Sequence, residues 1–128
     1  MANRDVVRAY RHLYRSALKA VCYSQPASTV VRGQLRQAFR APDAKFDERA
    51  IQRTVWFLKN AARNNGIEHR IVRNMLFVKW AAQAFFTKKV DWIADFMCRT
   101  LISETAYVHY NKTIGMLNKT MGICLPLP

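Results

Sequence analysis

Acidic residues are few in this chain. Its 128 residues hold 8 Asp and Glu against 21 Lys and Arg, a formal net charge of +13 and a pI near 10.3. That imbalance excludes a surface neutralised by its own ion pairs. It calls for an anionic partner: nucleic acid, an anionic membrane surface or a strongly acidic protein. Cysteine is also sparse. Cys22, Cys98 and Cys124 are odd in number, far apart and without a CxxC pair, which excludes a disulfide framework and a zinc signature and fits reduced thiols in a reducing compartment. His12, His69 and His109 are equally scattered, with no HxxxH or HExxH, so no metal site is expected. Glycine, at four residues, is too thin for a phosphate-cradling loop, and Ser16, Ser24 and Ser28 lack a GxSxG setting. Asp43, Asp47 and Glu48 are better explained as helix-start residues than as paired catalytic carboxylates. An enzyme is not expected.

Long apolar runs are missing too. The stretch Trp80–Phe86 falls far short of the ~20 residues that span a bilayer. The opening is interrupted by arginine at every turn, so it is not expected to be a secretory signal. It is amphipathic, Arg-rich and acid-poor, as mitochondrial import helices are, and we expect an import signal retained as part of the fold. No repeat, low-complexity segment or strand-like alternation is found.

What remains is helical and apolar enough to fold. A hydrophobic fraction of 51% with 12% aromatics argues for a real core, and the length suits one domain overall. Charge is uneven: residues 1–66 hold 13 Lys and Arg against 4 Asp and Glu, net +9, and residues 67–128 hold 8 against 4, net +4. A first helix is expected over about 3–23. Val6, Tyr10, Leu13, Tyr14, Ala17, Leu18 and Val21 form its apolar face. Arg4, Arg8, Arg11, Arg15 and Lys19 fall on a separate stripe roughly 80° wide, relieved only by Asp5. A solvated face would mix its signs, so this ridge asks for an acidic partner.

Ser24-Gln25-Pro26 should stop that helix and start the next, with Ser24 as a cap. The second helix, about 27–41, places Val31, Leu35, Ala38 and Phe39 on one side and Arg32, Arg36 and Arg40 in a second cationic row. Gly33 inside it costs about 1 kcal/mol against Ala, which suggests a neighbouring element at close approach. Pro42 ends the segment. A third helix should begin near Asp47 with Ile51, Val55, Leu58 and Ala62 inward, widened by Trp56 and Phe57, and end at Asn64-Asn65-Gly66 with a left-handed glycine. Beyond it, Ile71, Met75, Val78, Ala82 and Phe85, joined by Leu76, Trp80 and Phe86, continue at helical spacing, with a break near 87–89. Trp92, Ile93, Phe96, Met97, Leu101, Ile102, Tyr107 and Val108 then form a helix apolar over much of its girth. The tail Gly122–Pro128 is apolar and proline-ended, suited to lying against a groove.

Leu13-Tyr14-Arg15 sits in the first basic helix, with Arg11 before it and Ser16 after. Leu35-Arg36-Gln37-Ala38-Phe39-Arg40 follows in the second, and more loosely Val55-Trp56-Phe57-Leu58 with Asn60 in the third. Over this first half the chain resembles the LYR-motif family of small mitochondrial helical proteins. The resemblance implies an all-α fold, a three-helix core over residues 1–66 with a C-terminal helical extension over 67–128 packed on it, in the mitochondrial matrix. It also implies a non-enzymatic adaptor for the mitochondrial acyl carrier protein. The prosthetic group would then be the carrier's: its 4′-phosphopantetheine arm and acyl chain insert between the helices. Residues implied for carrier binding are Arg8, Arg11, Leu13, Tyr14, Arg15, Lys19, Arg36, Phe39 and Arg40. Those implied for the acyl channel are Leu13, Ala17, Leu18, Val31, Leu35, Phe39 and Leu58. Family members serve several assemblies. The run from Arg36 to Asn60 looks most like members on the mitochondrial ribosome, where rRNA would reward excess Lys and Arg. An accessory subunit or assembly factor of a respiratory complex such as complex I is the alternative. An rRNA-binding protein with an incidental triplet is another. Residues 67–128 depart from the shortest members and leave the client open.

Overall fold

The computed structural model describes residues 2–86 and 103–125. Among them are five α-helices and no strand: α1 (Ala2–Ala20), α2 (Ala27–Arg40), α3 (Glu48–Arg63), α4 (Ile67–Phe86) and α5 (Ser103–Met121). The all-α expectation holds. None of these helices is long and apolar enough to cross a membrane. The expected break at 87–89, the apolar stretch Trp92, Ile93, Phe96, Met97, Leu101 and Ile102, and Cys98 lie outside the described residues.

Helix ends follow local chemistry, with corrections. Asp47 caps α3 as expected, its carboxylate accepting from the backbone N–H of Arg49 and Ala50 at 3.0 and 3.3 Å. The α1 terminus uses no glycine. Tyr23 N donates to the Leu18 carbonyl and Cys22 N to that of Lys19, at 3.1 and 3.0 Å. This double closure needs a left-handed corner, and Cys22 and Tyr23 adopt it with φ of 52° and 54°, a conformation costing L-residues about 1–2 kcal/mol. Ser24 does not cap α2. Its hydroxyl turns back to donate to the Val21 carbonyl at 2.7 Å, and Pro26 holds the cap position. Gly66 is not left-handed either: α3 ends through extended Asn64, and the Gly66 carbonyl accepts from Arg70 N at 3.2 Å to start α4. At Gly33 an added Cβ would meet nothing within 4 Å, so no element approaches there.

The inward face of α3 is rotated from the expected one. Thr54, Val55, Phe57, Leu58 and Ala61 are buried, whereas Ala62 is exposed and Trp56 is 58% exposed. The cause is that α3 has two helical neighbours, α1 along its most extensive contact and α4 on another side. Among the α4 residues whose side chains are described, Val72, Met75, Leu76 and Ala81 are buried, and in α5 Val108 is 49% exposed. His69 Nδ1 lies 3.2 Å from the Ala61 carbonyl and ties α4 to α3. One apolar cluster takes residues from every helix and from the tail, including Ile114, Ile123 and Leu125.

The tail is tied down. Gly122 turns left-handed at φ +62°, where a Cβ would collide with the Arg53 guanidinium. Asn118 then clamps Leu125: its Nδ2 donates to the Leu125 carbonyl and its Oδ1 accepts from Leu125 N, both at 3.0 Å. Cys124 N donates to Thr54 Oγ1 on α3 at 2.9 Å. Residues 122–125 of the expected tail are thus packed against α3 and α5, with Ile123 and Leu125 buried, and the rest of that tail lies outside the described residues.

Candidate functional site

The helices do not close on one another equally. α2 packs on α1 and α4, and α1 and α4 pack on α3, but α2 and α3 do not pack closely together. The gap they leave is a cavity of about 300 Å³. α1 lines it with Val6, Leu13 and Ala17, and α4 with Val72, Met75 and Leu76. The facing walls are Val31, Leu35 and Phe39 of α2 and Ile51, Thr54 and Leu58 of α3. Cys124 and Leu125 complete the wall beside Thr54. One end opens between the helices at exposed Ala38, Ala44, Lys45, Phe46 and Asp47, while Leu13, Val31, Leu58, Val72 and Leu76 are buried.

Six of the seven residues proposed from sequence for an apolar channel therefore share one cavity: Leu13, Ala17, Val31, Leu35, Phe39 and Leu58. Leu18 does not line it. It is buried, yet the helical phase sets it about 140° from Leu13, on the flank beside the basic ridge. Several wall residues carried no such assignment from sequence. Ile51, Met75 and Leu76 were on apolar faces, and the tail was marked for a groove. Gln34 and Thr54 gave no signal, because polar residues in helices read as solvent-facing.

The Leu-Tyr-Arg triplet divides across the helix. Leu13 is buried against the cavity, Tyr14 is half-buried and Arg15 is exposed. Tyr14 belongs to an aromatic seam between α1 and α2. Its ring centroid is 5.9 Å from that of Tyr10, Tyr10 meets Phe39 edge-on at 5.2 Å, and the Arg32 guanidinium carbon lies 6.0 Å from the Tyr14 centroid. Arg8, Arg11, Arg15 and Lys19 on α1, and Arg36 and Arg40 on α2, are all exposed. Among the described residues none of these cations is held in an ion pair. Helical phase centres the α1 row about 160° from Leu13 and sets Arg36 about 140° from Val31, so this unpaired positive charge lies on the outer faces of the two helices, and Lys45 is the cation on the cavity lining.

No potential metal cluster of three or more His, Cys, Asp or Glu occurs among the described residues. Cys22 and Cys124 are free thiols. Comparison with protein-family models, with curated proteins and with solved structures gives no match.

Proposed function

We propose that this chain is a non-enzymatic adaptor that binds an acylated acyl carrier protein and docks it on a large mitochondrial assembly, the mitochondrial ribosome in the first instance. One observation carries the reading: an apolar cavity open at one end, with Leu13 and Phe39 on its walls and unpaired arginines on the same two helices. A carrier of this kind presents acidic side chains, a phosphodiester and a fatty chain. Exposed arginines offer the planar donor fork that carboxylate and phosphate accept in pairs. The cavity size suits the chain. An apolar void of about 150 Å³ accepts a benzene ring, so about 300 Å³ holds on the order of a dozen carbons. Each buried methylene contributes about 0.8 kcal/mol.

The test is native mass spectrometry of the tagged protein drawn gently from mitochondria, reading partners and thioester-bound chains together. The expected result is a small acidic carrier bearing a pantetheine-linked acyl group, together with proteins of the client assembly. Ribosomal partners support the mitochondrial ribosome, and respiratory-complex subunits move the adaptor to that client. RNA without any carrier overturns the adaptor and leaves an rRNA-binding protein.

A further inference from the structure

The outer face of α3 carries a pattern of its own. Counted at about 100° per residue, Arg49, Arg53, Trp56, Lys59 and Arg63 fall within about 120° of one another, with Trp56 at the centre. All are exposed, Trp56 to 58%. The stripe runs about 21 Å along the helix. Glu48, the only acid on α3, lies past its edge and accepts from Gln52 Nε2 at 3.2 Å. Among the described residues no ion pair holds these cations and no ring lies against the indole. Helical phase sets Trp56 about 175° from the mean direction of Ala50, Ile51, Thr54 and Leu58, so the stripe faces away from the cavity those residues line.

A single exposed ring would carry nothing alone. Its setting does. The side chains one turn away on α3 are Gln52, Arg53, Lys59 and Asn60, so the helix gives the indole no apolar neighbours with which to form the dry centre of a protein interface. A nucleobase asks for less: one flat π-face to stack on, and cations to either side for the phosphates. We propose that this face of α3 binds single-stranded RNA, with an unpaired base stacked on Trp56 and phosphates held by Arg49, Arg53, Lys59 and Arg63. Stacking needs a base released from its own helix, so the ligand is an unpaired segment. The choice of RNA rests on the ribosomal client proposed above. Under that reading α3 takes the acyl chain on one side and RNA on the other.

The test uses the full chain and a fluorescein-labelled, unstructured RNA of about ten nucleotides, with affinity read by anisotropy. An abasic counterpart keeps the phosphates and removes the bases, so this comparison needs no variant. The wild type is expected to bind the intact RNA about five- to 150-fold more tightly than the abasic one. Trp56→Ala should lose that difference, and Trp56→Phe should keep most of it. Lys59→Gln with Arg63→Gln should flatten the logarithmic salt slope by about 1.4. Urea unfolding verifies that the variants fold. Equal affinity for intact and abasic RNA, a difference that survives Trp56→Ala, or an unchanged salt slope overturns the proposal. Oligoglutamate of matched charge bound as tightly as RNA also overturns it and makes the face a site for an acidic protein. Tighter binding of DNA of the same sequence overturns the choice of RNA. Carrier capture is scored on the same preparations, and Trp56→Ala should retain it. A wild type that captures the carrier but ignores the bases keeps the adaptor and loses this inference. Base-dependent RNA binding without carrier capture does the reverse.

Discussion

Filling the cavity should strengthen the empty protein and weaken its hold on a chain, and Ala17 is the place to do it. Ala17 is 7% exposed on α1 and lines the void directly. Ala17→Leu adds three carbons that can point into space rather than into neighbours. At about 0.8 kcal/mol per methylene the transfer is worth about 2.4 kcal/mol, less about 1 kcal/mol for lost rotamer freedom and local crowding. Net stabilisation of the ligand-free chain should be about 1–2 kcal/mol, read as a higher urea midpoint with an unchanged slope. The same atoms displace about three methylenes of a bound chain. Affinity for a twelve-carbon thioester should fall about 50-fold, and captured chains should shorten by about three carbons. Two outcomes refute the reasoning: loss of more than about 1 kcal/mol by the ligand-free variant, which would mean the wall has no room, or an unchanged chain-length distribution, which would mean the chain lies elsewhere.

Three further outcomes follow from the same geometry. Arg11→Glu with Arg15→Glu should leave folding stability within about 0.5 kcal/mol, since both side chains are exposed and unpaired among the described residues. Carrier affinity, measured by biolayer interferometry, should fall at least about 100-fold through lost charge-assisted bonds and new repulsion. Asn118→Ala should cost about 1–3 kcal/mol by leaving both Leu125 backbone groups without their clamp, and hydrogen exchange at Cys124 and Leu125 should speed up more than elsewhere. Burial raises the Tyr110 hydroxyl above its ordinary pKa of 10.0 by desolvating the phenolate. The folded chain then keeps a proton that the unfolded chain gives up, so stability is full below pH 10 and declines as pH rises through the folded value. Alkaline unfolding of Tyr110→Phe should be correspondingly flatter.

Much of the backbone was legible because its causes are local. Asp47 reaches amides two and three residues on, Pro42 bars helix continuation, and the cationic rows need only a count of residues per turn. The apolar face of α2 was legible for the same reason, and Val31, Leu35 and Phe39 do line the cavity. What failed depends on distant partners. Thr54 is buried because a tail seventy residues away brings Cys124 to its hydroxyl. Ala61 goes inward and Ala62 outward because α3 is gripped by both α1 and α4, a rotation that a single-helix count does not contain. Gly66 and Cys22 exchange expectations at their turns: glycine propensity favours the left-handed corner, but the chain's path puts that corner after α1. A void is the least legible feature of all, since hydrophobic periodicity says which faces turn inward and nothing about whether they meet.

The separation of α2 from α3 sets the mechanics of the slot. Its girth is fixed by one short rod leaning on two supports, with an irregular corner at one end and a proline-bearing turn at the other. Widening the slot by a tilt of that rod would cost the Tyr10–Phe39 and Arg32–Tyr14 contacts that hold it to α1, while leaving the α1–α3 contact intact.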